Sequence, residues 1–254
     1  MTTSLILALI AGAVVGLALG GLGGGGSVLA VPALIYLLGF TPAAATTAAL
    51  LIVIATSLTG LVAHAREGRV RWRTGGLFAV AGIVPAAVAG ALSVRIPSGL
   101  LTAAFAVLAV VAAVRMLRPR AEPASRHGSG SDAVPARRAA GAGAGLGAVT
   151  GFLGVGGGFL AVPALVTVLA VPMASAVGTS LLVITVNSTA ALVARLATPT
   201  ALDWAVTAPF TAAAVLGAWD GQRLASKVST AALQRIFGAV LLAVAVFMLV
   251  DAVA

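Results

Sequence analysis

Long apolar runs alternate along the chain with short polar or arginine-bearing stretches. In the first half the runs cover about 3–20, 28–39, 43–63, 74–94 and 98–117, and in the second about 139–153, 159–170, 174–196, 204–222 and 230–252. Most approach the roughly 20 residues that a helix needs to cross the hydrocarbon core of a bilayer. The second run of each half does not: a dozen helical residues at 1.5 Å each reach about 18 Å, against a core of roughly 30 Å. A glycine-rich stretch separates it from the first run in both halves. The pattern predicts that each half opens on a broken, partly re-entrant hairpin turning at a glycine hinge.

The halves repeat one another. Residues 11–34 read AGAVVGLALGGLGGGGSVLAVPAL and residues 142–165 read AGAGLGAVTGFLGVGGGFLAVPAL, identical at 15 of 24 positions with an offset of 131. The matches include Gly12 with Gly143, Gly16 with Gly147, Gly20 with Gly151, Gly23 with Gly154, Gly25 with Gly156 and Gly26 with Gly157. Further on, Ser57 matches Ser188, and one inserted residue later Trp72 matches Trp204. The chain is a tandem duplication: residues 1–117 form the first repeat, 118–138 a linker rich in Arg, Pro, Gly and Ser, and 139–254 the second repeat.

Composition identifies the solvent. Of 254 residues 61% are hydrophobic and 8% charged, against about 25% charged in soluble domains. So few charges cannot cover a water-soluble surface, and the expected class is an all-α polytopic membrane protein with the bilayer as its main partner. The net charge of +9 could suggest nucleic acid, but 11 of the 15 Lys and Arg fall between Arg66 and Arg138, in loops flanking apolar runs. That is a topology signal, and no nucleic-acid partner is expected. Placing Arg66, Arg69, Arg71, Arg73 and the linker arginines in the cytoplasm, with Arg223 and Lys227 beside them, requires the halves to insert in opposite orientations. Two inverted-topology repeats of about five segments each follow, with both termini extracytoplasmic and the linker cytoplasmic. The lack of any Lys or Arg before Arg66 speaks against a cleaved signal peptide.

Cysteine is absent, which removes thiol catalysis, disulfides and thiolate metal sites. With only His64 and His127, no transition-metal site is expected, and no cofactor either; His127 reads as a solvated linker residue. The stretch Gly21 to Gly26 satisfies G-x-G-x-x-G, but no strand precedes it and no Gly-Lys-Ser/Thr follows, so nucleotide binding is excluded. No G-x-S-x-G or H-E-x-x-H motif supports an intramembrane enzyme.

What remains is a glycine hinge before a short helix, twice. Glycine lets backbone N–H groups converge, and the N-terminus of a helix attracts anions. Broken helices in inverted repeats place such ends at the membrane midplane. The substrate-binding candidates are therefore Gly23, Gly24, Gly25, Gly26 and Ser27 in one half, and Gly154, Gly156, Gly157 and Gly158 in the other. Gly12, Gly16, Gly20 and their partners read instead as helix-packing faces. The third segment adds Thr46, Thr47, Thr56 and Ser57, and in the second half Gly178, Thr179, Ser180, Asn187 and Ser188. These residues bind either neighbouring helices or a substrate oxyanion; Thr46, Thr47, Ser57, Thr179, Ser180 and Asn187 join the binding candidates. His64 and Arg195 end the two third segments at equivalent positions, as gating or proton-handling groups or as snorkelling side chains.

Together the paired hinges with LAVPAL, AVGTSL at Ala176 to Leu181, the series Ser57, Gly60, His64, Gly68, Trp72, and GQRLA at Gly221 to Ala225 resemble the TauE/SafE sulfite exporter family. The resemblance spans nearly the whole chain outside the linker. It implies a multi-pass permease of the bacterial inner membrane for a small anionic substrate such as sulfite or an organosulfonate. Proton or ion coupling and a homo-oligomer are partners compatible with that reading, and an anion channel is the alternative. The chain departs from the pattern at Thr47-Ala48-Ala49, where the second half has Gly178-Thr179-Ser180.

Overall fold

The computed structural model describes residues 2–22, 27–93, 135–153, 158–195 and 202–225, with scattered positions between 107 and 117 and between 227 and 250. The expectations for the linker, for both fifth segments as continuous helices, and for Gly23 to Gly26, Gly154, Gly156 and Gly157 lie outside the described residues.

The described elements are helical: α1 (Thr2–Leu22), α2 (Ser27–Pro32), which continues as a π-helical turn over Ala33–Leu37, α3 (Pro42–Arg66), α4 (Trp72–Ser93), α5 (Ala136–Leu153), α6 (Gly158–Thr167), α7 (Met173–Arg195) and α8 (Trp204–Ala225). They match the apolar runs within a few residues. Among them four are long and apolar enough to cross a membrane, over Ser4–Gly21, Ala44–Arg66, Trp72–Ala89 and Met173–Val193. α2 and α6 are too short, as the run lengths require, and each contains a proline, Pro32 or Pro163, that removes one backbone donor.

Both short helices end alike. Phe40 N–H donates to the Leu34 carbonyl at 3.0 Å, and its repeat equivalent Val171 N–H donates to Leu165 at 3.0 Å. This closure forces the preceding residue into the left-handed region. Gly39 takes it at φ +70°, and Ala170 takes the equivalent place at φ +51° despite its Cβ. Thr41 then caps α3 through the N–H of Ala44, with Pro42 at the first helical position.

The halves interlock rather than standing side by side. α1 packs along α8 of the other half, and α4 packs along α5. Glycines make this approach possible. A methyl group on Gly12, Gly16 or Gly20 would strike the backbone of Phe210, Ala214 or Ala218; on Gly143 or Gly147 it would strike that of Phe78 or Gly82. The two seams are equivalent, because Phe78 and Gly82 occupy the repeat positions of Phe210 and Ala214. Contacts advance together along both helices of each seam, so these pairs run parallel. Lipid tails are as apolar as the helices, so association rests on close packing, and small residues supply it.

The third segments cross instead. Ser57 meets Thr185, Gly60 meets Leu181 and His64 meets Gly178. Positions rise on α3 as they fall on α7, so these equivalent helices of the two halves run antiparallel.

Candidate functional site

α2 and α6 touch each other, and each lies on the long helix that follows it. Ala30 and Leu34 of α2 pack with Ala45, Ile52 and Val53 of α3, and Ile184 of α7 joins that cluster. Ala161 and Leu165 of α6 pack with Ala176 and Val183 of α7. Val183 and Ile184 thus mark the face of α7 turned toward the clusters that hold α6 and α2. Asn187 belongs to that face, one turn beyond Val183 and Ile184, and its repeat equivalent Thr56 stands in the same relation to Ile52 and Val53.

These two equivalent polar groups are in different states. Thr56 gives its hydroxyl proton to the Ile52 carbonyl at 2.7 Å. The Asn187 amide oxygen is enclosed and, among the described residues, has no hydrogen-bond partner. An unsatisfied buried group of this kind costs about 1–3 kcal/mol, and such exceptions call for an explanation, a bound ligand being one. Ser27 and Gly158, the first residues of α2 and α6, place the starts of those helices directly after the two glycine hinges.

Several other candidates make hydrogen bonds within or between helices. Ser57 Oγ lies 2.9 Å from Thr185 Oγ1 across the α3–α7 crossing, while Thr185 donates to Leu181 at 2.8 Å. Thr179 accepts the backbone N–H of Arg71 at 3.1 Å, and Ser180 donates to the Val177 carbonyl at 2.7 Å. Thr47 and Ser188 are buried, and Thr46 is half-buried in the first turns of α3. For Ser57, Thr179 and Ser180 the bonds in place are structural ones.

His64 does not snorkel. It is 4% exposed, its Nδ1 lies 3.1 Å from the Gly60 carbonyl, and its Cβ would stand 3.1 Å from a methyl on Gly178. Gly178 is a glycine because the histidine and the Arg69 carbonyl leave no room for more. Arg195 is the last residue of α7. Among the described residues no group of His, Asp or Glu is arranged to hold a metal ion.

One residue escaped the sequence reading. Thr207 on α8 is 1% exposed and its hydroxyl has no partner among the described residues, whereas Thr59, Thr167, Thr185 and Thr211 each donate to the carbonyl one turn back. Its repeat equivalent is Gly75, so the mismatch between halves was the signal available.

Crossed long helices enclosing two short, proline-bearing ones define an all-helical multi-pass membrane protein. The sulfite exporter TauE/SafE family matches residues 8–248, and the chain belongs to that family. It is similar to a probable membrane transporter protein of Xylella fastidiosa strain 9a5c, 34% identical over 251 residues, covering 97% of this chain and 95% of the relative. A protein of the same description from strain Temecula1 is 33% identical over the same shares. A probable membrane transporter protein of Bacillus subtilis, YunE, is 28% identical over 88% of this chain and 86% of its own. No solved structure matches. Family and relatives alike mark the chain as a membrane transporter.

Proposed function

We propose that the protein is a secondary transporter of a small sulfur oxyanion, sulfite or an organosulfonate, held where α2 and α6 meet between α3 and α7. Residues 1–63 and 139–194 contain no Lys, Arg, Asp or Glu, so the anion is held by backbone N–H groups and neutral side chains instead of a buried cation. The observation that carries the reading is Asn187 on α7, whose amide oxygen is enclosed without a partner among the described residues; turning the amide about its last bond puts the N–H donors in that place, and donors are what an oxyanion needs. Antiparallel α3 and α7 support an inverted insertion of the halves in a bacterial inner membrane, with the linker cytoplasmic and both termini outside.

The test is saturable, gradient-driven sulfite uptake into liposomes containing the purified protein. Gly25→Val and Gly156→Val, equivalent across the repeat, are expected to abolish uptake and ligand-induced thermal stabilisation while the ligand-free protein still folds. Hinge variants that melt early yet bind sulfite normally would make the hinges packing devices and overturn the assignment. Unitary currents in place of saturable flux would make the protein a channel.

A further inference from the structure

α5 carries two glycine faces. Gly143 and Gly147 are pressed against α4, whereas a methyl on Gly141 or Gly145 would meet nothing within 4 Å. On the Gly145 side lies an apolar groove of about 360 Å³ between α5 and α6, lined by Ala142, Gly145 and Val149 of the first and Leu160 and Ala164 of the second, with Val111 of the first half at its edge. The polar atom at its rim is spent, since Thr167 gives its hydroxyl proton to the Pro163 carbonyl at 2.7 Å. Among the described residues the lining offers no free polar side chain, and an apolar groove suits hydrocarbon.

The charge sits at one end. Arg138 stands on α5 at four, seven and eleven residues before Ala142, Gly145 and Val149, the spacing of a single helical stripe. It is exposed, as is Arg137 beside it, and among the described residues neither makes an ion pair. An apolar groove with an exposed arginine on the same stripe of α5, two turns before Gly145, matches an acyl chain joined to an anionic headgroup.

We propose that this groove is a binding site for an anionic diacyl phospholipid, one acyl chain lying along Gly145 and the headgroup phosphate held by Arg138. Because α6 forms the other wall, the lipid braces the short helix that follows the second hinge. The site is separate from the anion junction and does not depend on it.

Delipidated full-length protein is titrated with phosphatidylglycerol or phosphatidylcholine of identical chains, and bound lipid is counted by native mass spectrometry. The parent is expected to prefer phosphatidylglycerol by about five-fold, the equivalent of the roughly 1 kcal/mol that one basic side chain gains at an anionic surface. Arg138→Gln should erase the preference while leaving chain binding, and Gly145→Leu, which fills open space and leaves the α4 seam intact, should remove the site for both lipids. Equal binding of the two lipids by the parent, or unchanged binding by Gly145→Leu, would overturn the proposal. A parent that is dimeric without lipid and becomes monomeric in Gly145→Leu would assign the groove to a second copy of the chain instead.

Discussion

The Thr179 hydroxyl accepts the backbone N–H of Arg71 at 3.1 Å, tying the second half's long helix to the loop that opens the first half's fourth helix. The equivalent loop in the second half is fixed otherwise: Asp203 caps α8 itself, its carboxylate accepting the Ala205 N–H at 3.0 Å. The first half carries Ala48 at the Thr179 position, fully buried and without a hydroxyl. The two halves thus start one helix in two ways, and of the departures of Thr47-Ala48-Ala49 from Gly178-Thr179-Ser180 the one at Ala48 concerns this bond. Thr179→Val should destabilise the protein by about 1–2 kcal/mol, the cost of stranding a partly buried N–H, and Thr179→Ser should restore most of it. Asp203→Ala should cost about 1 kcal/mol, as lost helix caps do. Unfolding of the purified protein in detergent measures all three.

The glycine seams predict sharp position dependence along single helices. Gly16→Ala and Gly147→Ala put a methyl into the backbone of Ala214 and Gly82, which no rotamer change relieves. Each should destabilise by about 1–3 kcal/mol or more, the usual range of overpacking. Gly141→Ala, on the open face of α5, should instead be neutral or stabilising by up to about 1 kcal/mol through helix propensity. Equal melting temperatures for Gly147→Ala and Gly141→Ala would contradict the described seam.

Ala170 gives a test with the opposite sign. It holds the left-handed position that its repeat equivalent Gly39 fills without strain, and for a residue with a Cβ that conformation costs about 1–2 kcal/mol. Ala170→Gly should raise stability by about 1 kcal/mol once the glycine's greater unfolded-state freedom is counted. Gly39→Ala should lower it by a similar amount. A loss of stability in Ala170→Gly would show that the turn is set by something other than its backbone angle.

Most of the helices were legible in the sequence because hydrocarbon demands uninterrupted apolar runs, and run length alone told the short α2 and α6 from the long helices. The packing role of Gly12, Gly16 and Gly20 was legible for a related reason: small residues one turn apart have one strong use in a lipid-solvated helix. The polar residues were harder. Nothing local distinguishes Ser57, bonded to Thr185, from Asn187, whose amide oxygen has no partner among the described residues, because partners across a helix crossing are set by three-dimensional register. His64 misled in the same way: a histidine at the end of an apolar run looks interfacial, yet Gly178 opens a place for it inside. Thr207 went unnoticed because its significance lies in a bond it does not make.

Inverted insertion predicts where the ends of the chain lie. Reporter fusions after Ser125 should report the cytoplasm and fusions after Ala254 the extracytoplasmic side. A cytoplasmic signal from both would be incompatible with opposite orientations of the two halves.

The most direct test of the site is Asn187→Leu, which keeps the side chain's size and removes the enclosed amide. If that amide is reserved for the transported anion, its loss should raise the KM for sulfite uptake into liposomes at least about ten-fold, equivalent to roughly 1.4 kcal/mol. The ligand-free melting temperature should stay equal to the parent's or rise, because an unsatisfied buried polar group has been removed. Unchanged sulfite uptake in a normally folded Asn187→Leu protein would contradict the assignment of the junction between α2 and α6 as the substrate site.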